Sequence, residues 1–146
     1  MSMLEKAIEL AVRAHVGQVD KAGEPYVLHP LRVMLAVSGG EERIVGVLHD
    51  VVEDTAWTLD ALRAEGFSRR VIEALDSVTR RQGEDYMVFV RRAAADAIGR
   101  QVKLADLLDN CNLARIAHPT DEDLKRIDRY KEAIKIIQAT SSDSGC

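Results

Sequence analysis

The chain has 146 residues, 47% of them hydrophobic but only 4% aromatic, and 20 Lys and Arg against 24 Asp and Glu give a net charge of −4. That length suits one domain with an aliphatic core and excludes a wholly disordered chain. The acidic balance argues against a nucleic-acid binder, since counterion release needs a concentrated basic surface; a small phosphorylated ligand held by a few local cations remains compatible.

Apolar residues recur at helical spacing along almost the whole chain, and no segment sustains period-two alternation. Leu4, Ile8, Ala11, Val12 and His15 share one face of a first helix. Residues 16–28 break that period with Gly17, Gly23 and Pro25 and are expected to form a loop. His29-Pro30 opens a second helix, with Pro30 suited to the first turn, and Gly39-Gly40 ends it. A third helix is expected from about Glu41 to Val52. Thr58 or Asp60 caps a short helix that stops near Gly66, and Ser68 caps one carrying Val71, Ile72, Leu75 and Val78. After Gly83 a helix covers Tyr86–Ala97, Gly99 marks a break, and another helix runs from about Arg100 to Ala117. Thr120 or Asp121 starts the last, with Leu124, Ile127, Tyr130, Ile134 and Ile137 inward, and the polar residues 141–146 are expected to fray. The expected fold is all-α: a single-domain bundle of six to eight helices.

Cys111 and Cys146 share no metal spacing, so no disulfide framework is expected, as in a reducing cytosol. The N-terminal MSMLEKAIELAVRAH has no long apolar run, and no stretch approaches the roughly 18 apolar residues of a membrane helix. A cytoplasmic protein with no membrane or nucleic-acid partner is expected. Apolar residues to spare on a small bundle fit a homodimer.

Chemistry concentrates in His29, His49, Asp50 and Asp106. His49-Asp50 interrupts GVLHDVVED and Asp106 interrupts VKLADLL, where a core helix would prefer Leu, Val or Ala. Burying such groups is costly unless they are paired or bind a cation. Neutral imidazole and ionised carboxylate are both good divalent-metal ligands, and two of each suit Mn²⁺ or Fe²⁺ without excluding Zn²⁺ or Mg²⁺. Glu53 follows His49 by four residues and Asp54 follows Asp50 by four, so both acids lie one turn along the same helix. One could deprotonate a water and the other protonate a leaving group. Asn110, four residues after Asp106, looks into the same space.

Taken singly, each feature has an ordinary explanation. His29 before proline suits a cap, Glu53 and Asp54 a solvated helix end, and Asp106 a surface pair with Lys103. His15 reads as a core or pocket-wall residue, His118 as exposed and Cys111 as packing. It is the joint order of a histidine, then HD, then a distant acid, all in helices, that points to a metal site.

That order resembles the HD superfamily of metal-dependent phosphohydrolases. HVGQVDKAGEPYVLHPLRV (15–33), VLHDVVEDT (47–55), SVTR (77–80) and VKLADLLDN (102–110) resemble, in order, the hydrolase domain of RelA/SpoT proteins and the small SpoT-like hydrolases. The resemblance implies an all-α fold, with His29, His49, Asp50 and Asp106 as ligands of a divalent metal, usually Mn²⁺. It implies that Glu53 and Asp54 activate water for removal of the 3′-pyrophosphate from (p)ppGpp. By the same resemblance Asn110 and Lys21 contact the nucleotide and Thr79 lines the pocket, while Lys103, Lys21, Arg32 or Arg80 could neutralise phosphate charge.

Two positions depart from the family pattern. Asp20 stands where the family commonly has an arginine that packs on the guanine, and Asp109 where it has a histidine. Only about two dozen residues separate Thr79 from Lys103, so part of the usual pocket wall is expected to be trimmed, and no synthetase domain is expected after the bundle. Three readings follow: a (p)ppGpp pyrophosphohydrolase, a phosphohydrolase acting on another nucleotide, and a non-catalytic nucleotide- or metal-binding module. The retained Glu53-Asp54 pair argues against the third.

Overall fold

A computed structural model describes residues 1–112 and 115–144, with side chains through Thr140. They form helices α1 (Met3–Ala14), α2 (Leu28–Ala36), α3 (Gly40–Leu48), α4 (Val51–Asp54), α5 (Leu59–Ala64), α6 (Arg69–Ser77), α7 (Tyr86–Ala94), α8 (Ala97–Asn110) and α9 (Asp121–Ser144). Counting α3 and the four-residue α4 as one interrupted helix gives eight. Among the described residues there is no strand, only an isolated bridge between Val19 and Pro25 in the α1–α2 loop. No described helix is long and apolar enough to cross a membrane. The tail expected to fray instead continues α9 as far as Ser144, while Cys146 lies outside the described residues.

Polar caps set most helix starts. Ser2 and Glu5 form a reciprocal capping box on α1, and Thr58, Ser68, Asp85 and Asp96 accept first-turn N–H groups of α5, α6, α7 and α8. At α9, Thr120 and Asp123 exchange backbone-to-side-chain hydrogen bonds of 2.9 and 3.1 Å.

The bundle is built around α3, which packs against α1, α2, α6 and α8. Its Ile44, Val45, Gly46, Val47 and Leu48 are all buried, as befits a helix surrounded on every side. Gly46 permits the α2 contact: a Cβ there would lie 3.2 Å from the Met34 Cα. A second, smaller core of Val90, Ala94, Leu107, Ala133 and Ile137 joins α7, α8 and α9.

The structure corrects several expected boundaries. The helix expected over 41–52 breaks at His49-Asp50, between α3 and α4. Gly99 is no break: it sits in the first turn of α8, where Asp96 accepts its N–H and a Cβ would lie 2.1 Å from Ser77 Oγ. The real break is Ala95-Asp96, because Asp96 is a stronger helix start than glycine is a stop. Helix α8 ends at Asn110, short of the expected Ala117, and Arg115 folds back to hydrogen-bond the Asp109 carbonyl at 2.6 Å. Val12 and Leu124, expected inward, are 42% and 47% exposed. Each lies at the edge of its helix's apolar stripe, where periodicity discriminates least.

Candidate metal centre and active site

Three places in the fold deliver four side chains to one point. His29 comes from the first turn of α2, His49 and Asp50 from the break after α3, and Asp106 from the middle of α8. One ligand atom from each lies within 4.8 Å of all the others. His29, His49 and Asp106 are buried, and Asp50 is half-buried. His29 Nε2 is 2.9 Å from Asp106 Oδ1 and 3.5 Å from Asp50 Oδ2; His49 Nε2 is 3.1 Å from Asp50 Oδ2 and 3.3 Å from Asp106 Oδ1. The break at His49-Asp50 turns adjacent residues onto the same point, which a continuous helix would send about 100° apart.

The other ring nitrogens are engaged elsewhere. His49 Nδ1 donates to the Gly46 carbonyl at 2.6 Å, and His29 Nδ1 donates to Asp109 Oδ2 at 2.7 Å. Both imidazoles therefore present Nε2 inward, the arrangement seen in histidine metal ligands. Donor chemistry and convergence fit a divalent cation.

Electrostatics within the cluster are strongly coupled. Burial alone would raise Asp106, but Lys103 and hydrogen bonds from His29 and His49 hold its carboxyl well below the usual range. Burial likewise opposes charge on both histidines, yet Asp106 and Asp109 raise His29, and Asp50 and Asp106 raise His49. Lys103 pairs with Asp106 as one structural alternative suggested, but the pair is buried: Nζ is 3.0 Å from Asp106 Oδ2 and 4.6 Å from the Phe89 ring centroid. Asn110 Nδ2 also donates to Asp106, at 3.0 Å.

Two cavities open near the cluster. The first, about 450 Å³, is lined by Glu53, Asp54, Thr79 and Arg80 among others. Although Glu53 and Asp54 reach solvent, desolvation by surrounding protein and repulsion from Asp50 push both carboxyls above their ordinary range. Glu53 Oε1 accepts the Arg80 N–H at 2.5 Å, while the Thr79 hydroxyl donates back to the Leu75 carbonyl at 2.7 Å. The second cavity, about 380 Å³, is lined by Asp20, Lys21, Tyr26, Asn110, Arg126 and Tyr130 among others. Here Lys21 is already paired, its Nζ 2.6 Å from Asp123 Oδ1. The Asp20 carboxylate is also occupied, accepting the N–H groups of Ala22 and Glu24 at 2.9 Å each.

His15 is a buried residue, bonded to Gln18 at 2.8 Å and 5.2 Å from the Tyr26 ring; His118 is exposed. Sequence reasoning passes over Tyr26, whose hydroxyl donates to Asp50 Oδ2 at 2.6 Å. It also passes over the supporting role of Asp109 and over Asp123. The signal for Tyr26 was its place three residues before His29; Asp123 is joined to Lys21 only through tertiary structure.

No family model matches the chain. It is 31% identical over 150 aligned positions, 94% of its length, to a probable GTP pyrophosphokinase of Mycobacterium leprae. It is 34% identical over 119 positions, 73% of its length, to a guanosine-3′,5′-bis(diphosphate) 3′-pyrophosphohydrolase of Aquifex aeolicus. The chain spans only 18% and 17% of those two proteins. Over most of its length the chain is thus similar to one segment of these longer RelA/SpoT-type proteins. Its fold agrees: a solved metazoan SpoT orthologue, described as hydrolysing ppGpp, superposes with a TM-score of 0.76 at 21% identity, covering 94% of this chain and 85% of that one.

Proposed function

We propose that this chain is a RelA/SpoT hydrolase-like domain and a metal-dependent 3′-pyrophosphohydrolase of (p)ppGpp, with His29, His49, Asp50 and Asp106 holding one divalent cation, Mn²⁺ by preference. The observation that carries the reading is the convergence of those four side chains between two cavities, one of them lined by Glu53 and Asp54. The bound cation would polarise phosphoryl oxygens and increase the acidity of water.

The chain's own groups do the rest. Glu53, its carboxyl held above the ordinary range by desolvation and Asp50, takes a proton from the attacking water as a carboxylate. The water oxygen bonds to the phosphorus attached to the 3′-oxygen, the bond from that oxygen to phosphorus breaks, and pyrophosphate departs. Asp54, also raised, returns a proton to the 3′-oxygen. Lys103 keeps Asp106 ionised. Asn110 and Lys21 face the cavity assigned to the nucleoside, and Thr79 and Arg80 border the phosphate side.

A second reading rests on Asp20. Its carboxylate organises the loop and supplies no planar cation for stacking on guanine, which favours a different nucleotide on the same catalytic apparatus. Purified protein with Mn²⁺, assayed against a nucleotide panel resolved by anion exchange, separates the two. Pyrophosphate release from ppGpp is expected. Inorganic phosphate from other nucleotides alone supports the second reading, and no turnover with metal retained supports a binding module.

A further inference from the structure

Helices α2 and α8 face each other with two matched pairs spaced three residues apart. Across that interface His29 meets Asp106, and one turn further along, Arg32 meets Asp109. Asp109 also reaches back to His29: its Oδ2 accepts the Nδ1 proton at 2.7 Å. Because an ionised carboxylate can only accept, this contact fixes the proton on Nδ1 and leaves the Nε2 lone pair for an ion. Arg32 grips Asp109 with Nε at 2.8 Å and Nη2 at 3.1 Å, one donor to each oxygen. Arg115 adds Nη1 at 3.2 Å to both oxygens and Nη2 at 2.6 Å to the Asp109 carbonyl.

We propose that Asp109 is a positioning residue for the metal site, holding His29 with Nε2 aimed at Asp50 and Asp106 while Arg32 and Arg115 fix Asp109 itself. The two imidazoles are thus supported differently. His49 leans on a backbone carbonyl, whereas His29 depends on a replaceable side chain. Arg115 also lines the nucleoside-side cavity, so the same clamp reaches from the substrate wall to a metal ligand.

The inference rests on the four-residue metal site, and its test reads metal affinity rather than turnover. Mn²⁺ titrations followed by electron paramagnetic resonance, with thermal unfolding by circular dichroism, compare the parent with Asp109→Leu and Asp109→Asn. Asp109→Leu is expected to bind Mn²⁺ about 10-fold to 100-fold more weakly than the parent. Asp109→Asn keeps an oxygen acceptor for Nδ1 and should recover part of that loss. A folded Asp109→Leu within about twofold of the parent overturns the inference. Should Asp109→Leu fail to fold, parental affinity in a folded Asp109→Ala variant, which also lacks an acceptor, does the same. A parent that binds no Mn²⁺ overturns the metal-site reading, and this inference with it.

Discussion

Glu53 accepts the backbone N–H of Arg80 at 2.5 Å, so the turn after α6 is fastened to the acidic pair on α4. The Glu53→Gln variant keeps an oxygen for that N–H but loses the charge. It is expected to retain Mn²⁺ and lose about 10²-fold to 10⁴-fold in turnover, the usual worth of a general base. Metal content and steady-state rates measured together check this. Undiminished turnover removes Glu53 from the mechanism.

Asp106 joins four partners: both histidines, Lys103 and Asn110. Replacing it with Ala leaves Lys103 a buried cation without its partner. Asp106→Ala is expected to lose metal and activity together, and about 3–5 kcal/mol of stability in urea unfolding. A variant with the parental urea midpoint would show that Lys103 finds another counterion.

Tyr26 ties the α1–α2 loop to the site through the hydrogen bond to Asp50. In Tyr26→Phe the ring can still pack against His15 and His29. Mn²⁺ affinity is expected to fall about tenfold, the lower end for a group that supports a ligand, with little change in thermal midpoint. Unchanged affinity would mean that Asp50 is held adequately by its other contacts.

Arg92 supports the phosphate side from below, donating to the Asp76 and Thr79 carbonyls and to both oxygens of Glu84. Hydrogen bonds from Arg92, then from the Arg81 N–H, hold the Glu84 carboxyl at about 2 against an ordinary 4.5. The folded value lies below the unfolded one, so Glu84 contributes stability above pH 4.5 that is lost as pH falls through about 2. Urea midpoints should therefore place Glu84→Gln below the parent near neutrality, with the gap closing between pH 4.5 and 2. A gap independent of pH contradicts this assignment.

The all-helical fold was legible because apolar spacing and caps such as Ser68 are local signals. The cluster was legible because His49-Asp50 and Asp106 stand where a core helix wants aliphatic residues. The ends of helices were less so. Asp96 overrides Gly99, and α8 stops where Arg115 returns to Asp109, a contact no helical period announces. The supporting layer was the least visible. Asp109 looked like a mere departure from a family pattern, and Lys21 like a free cation, until tertiary structure set them beside His29 and Asp123.

Anomalous diffraction from Mn²⁺-loaded crystals tests the central claim most directly. The account predicts one strong peak bonded to Nε2 of His29, Nε2 of His49 and the carboxylates of Asp50 and Asp106. Mn²⁺ bound elsewhere, with those four side chains still linked only to one another, would contradict it.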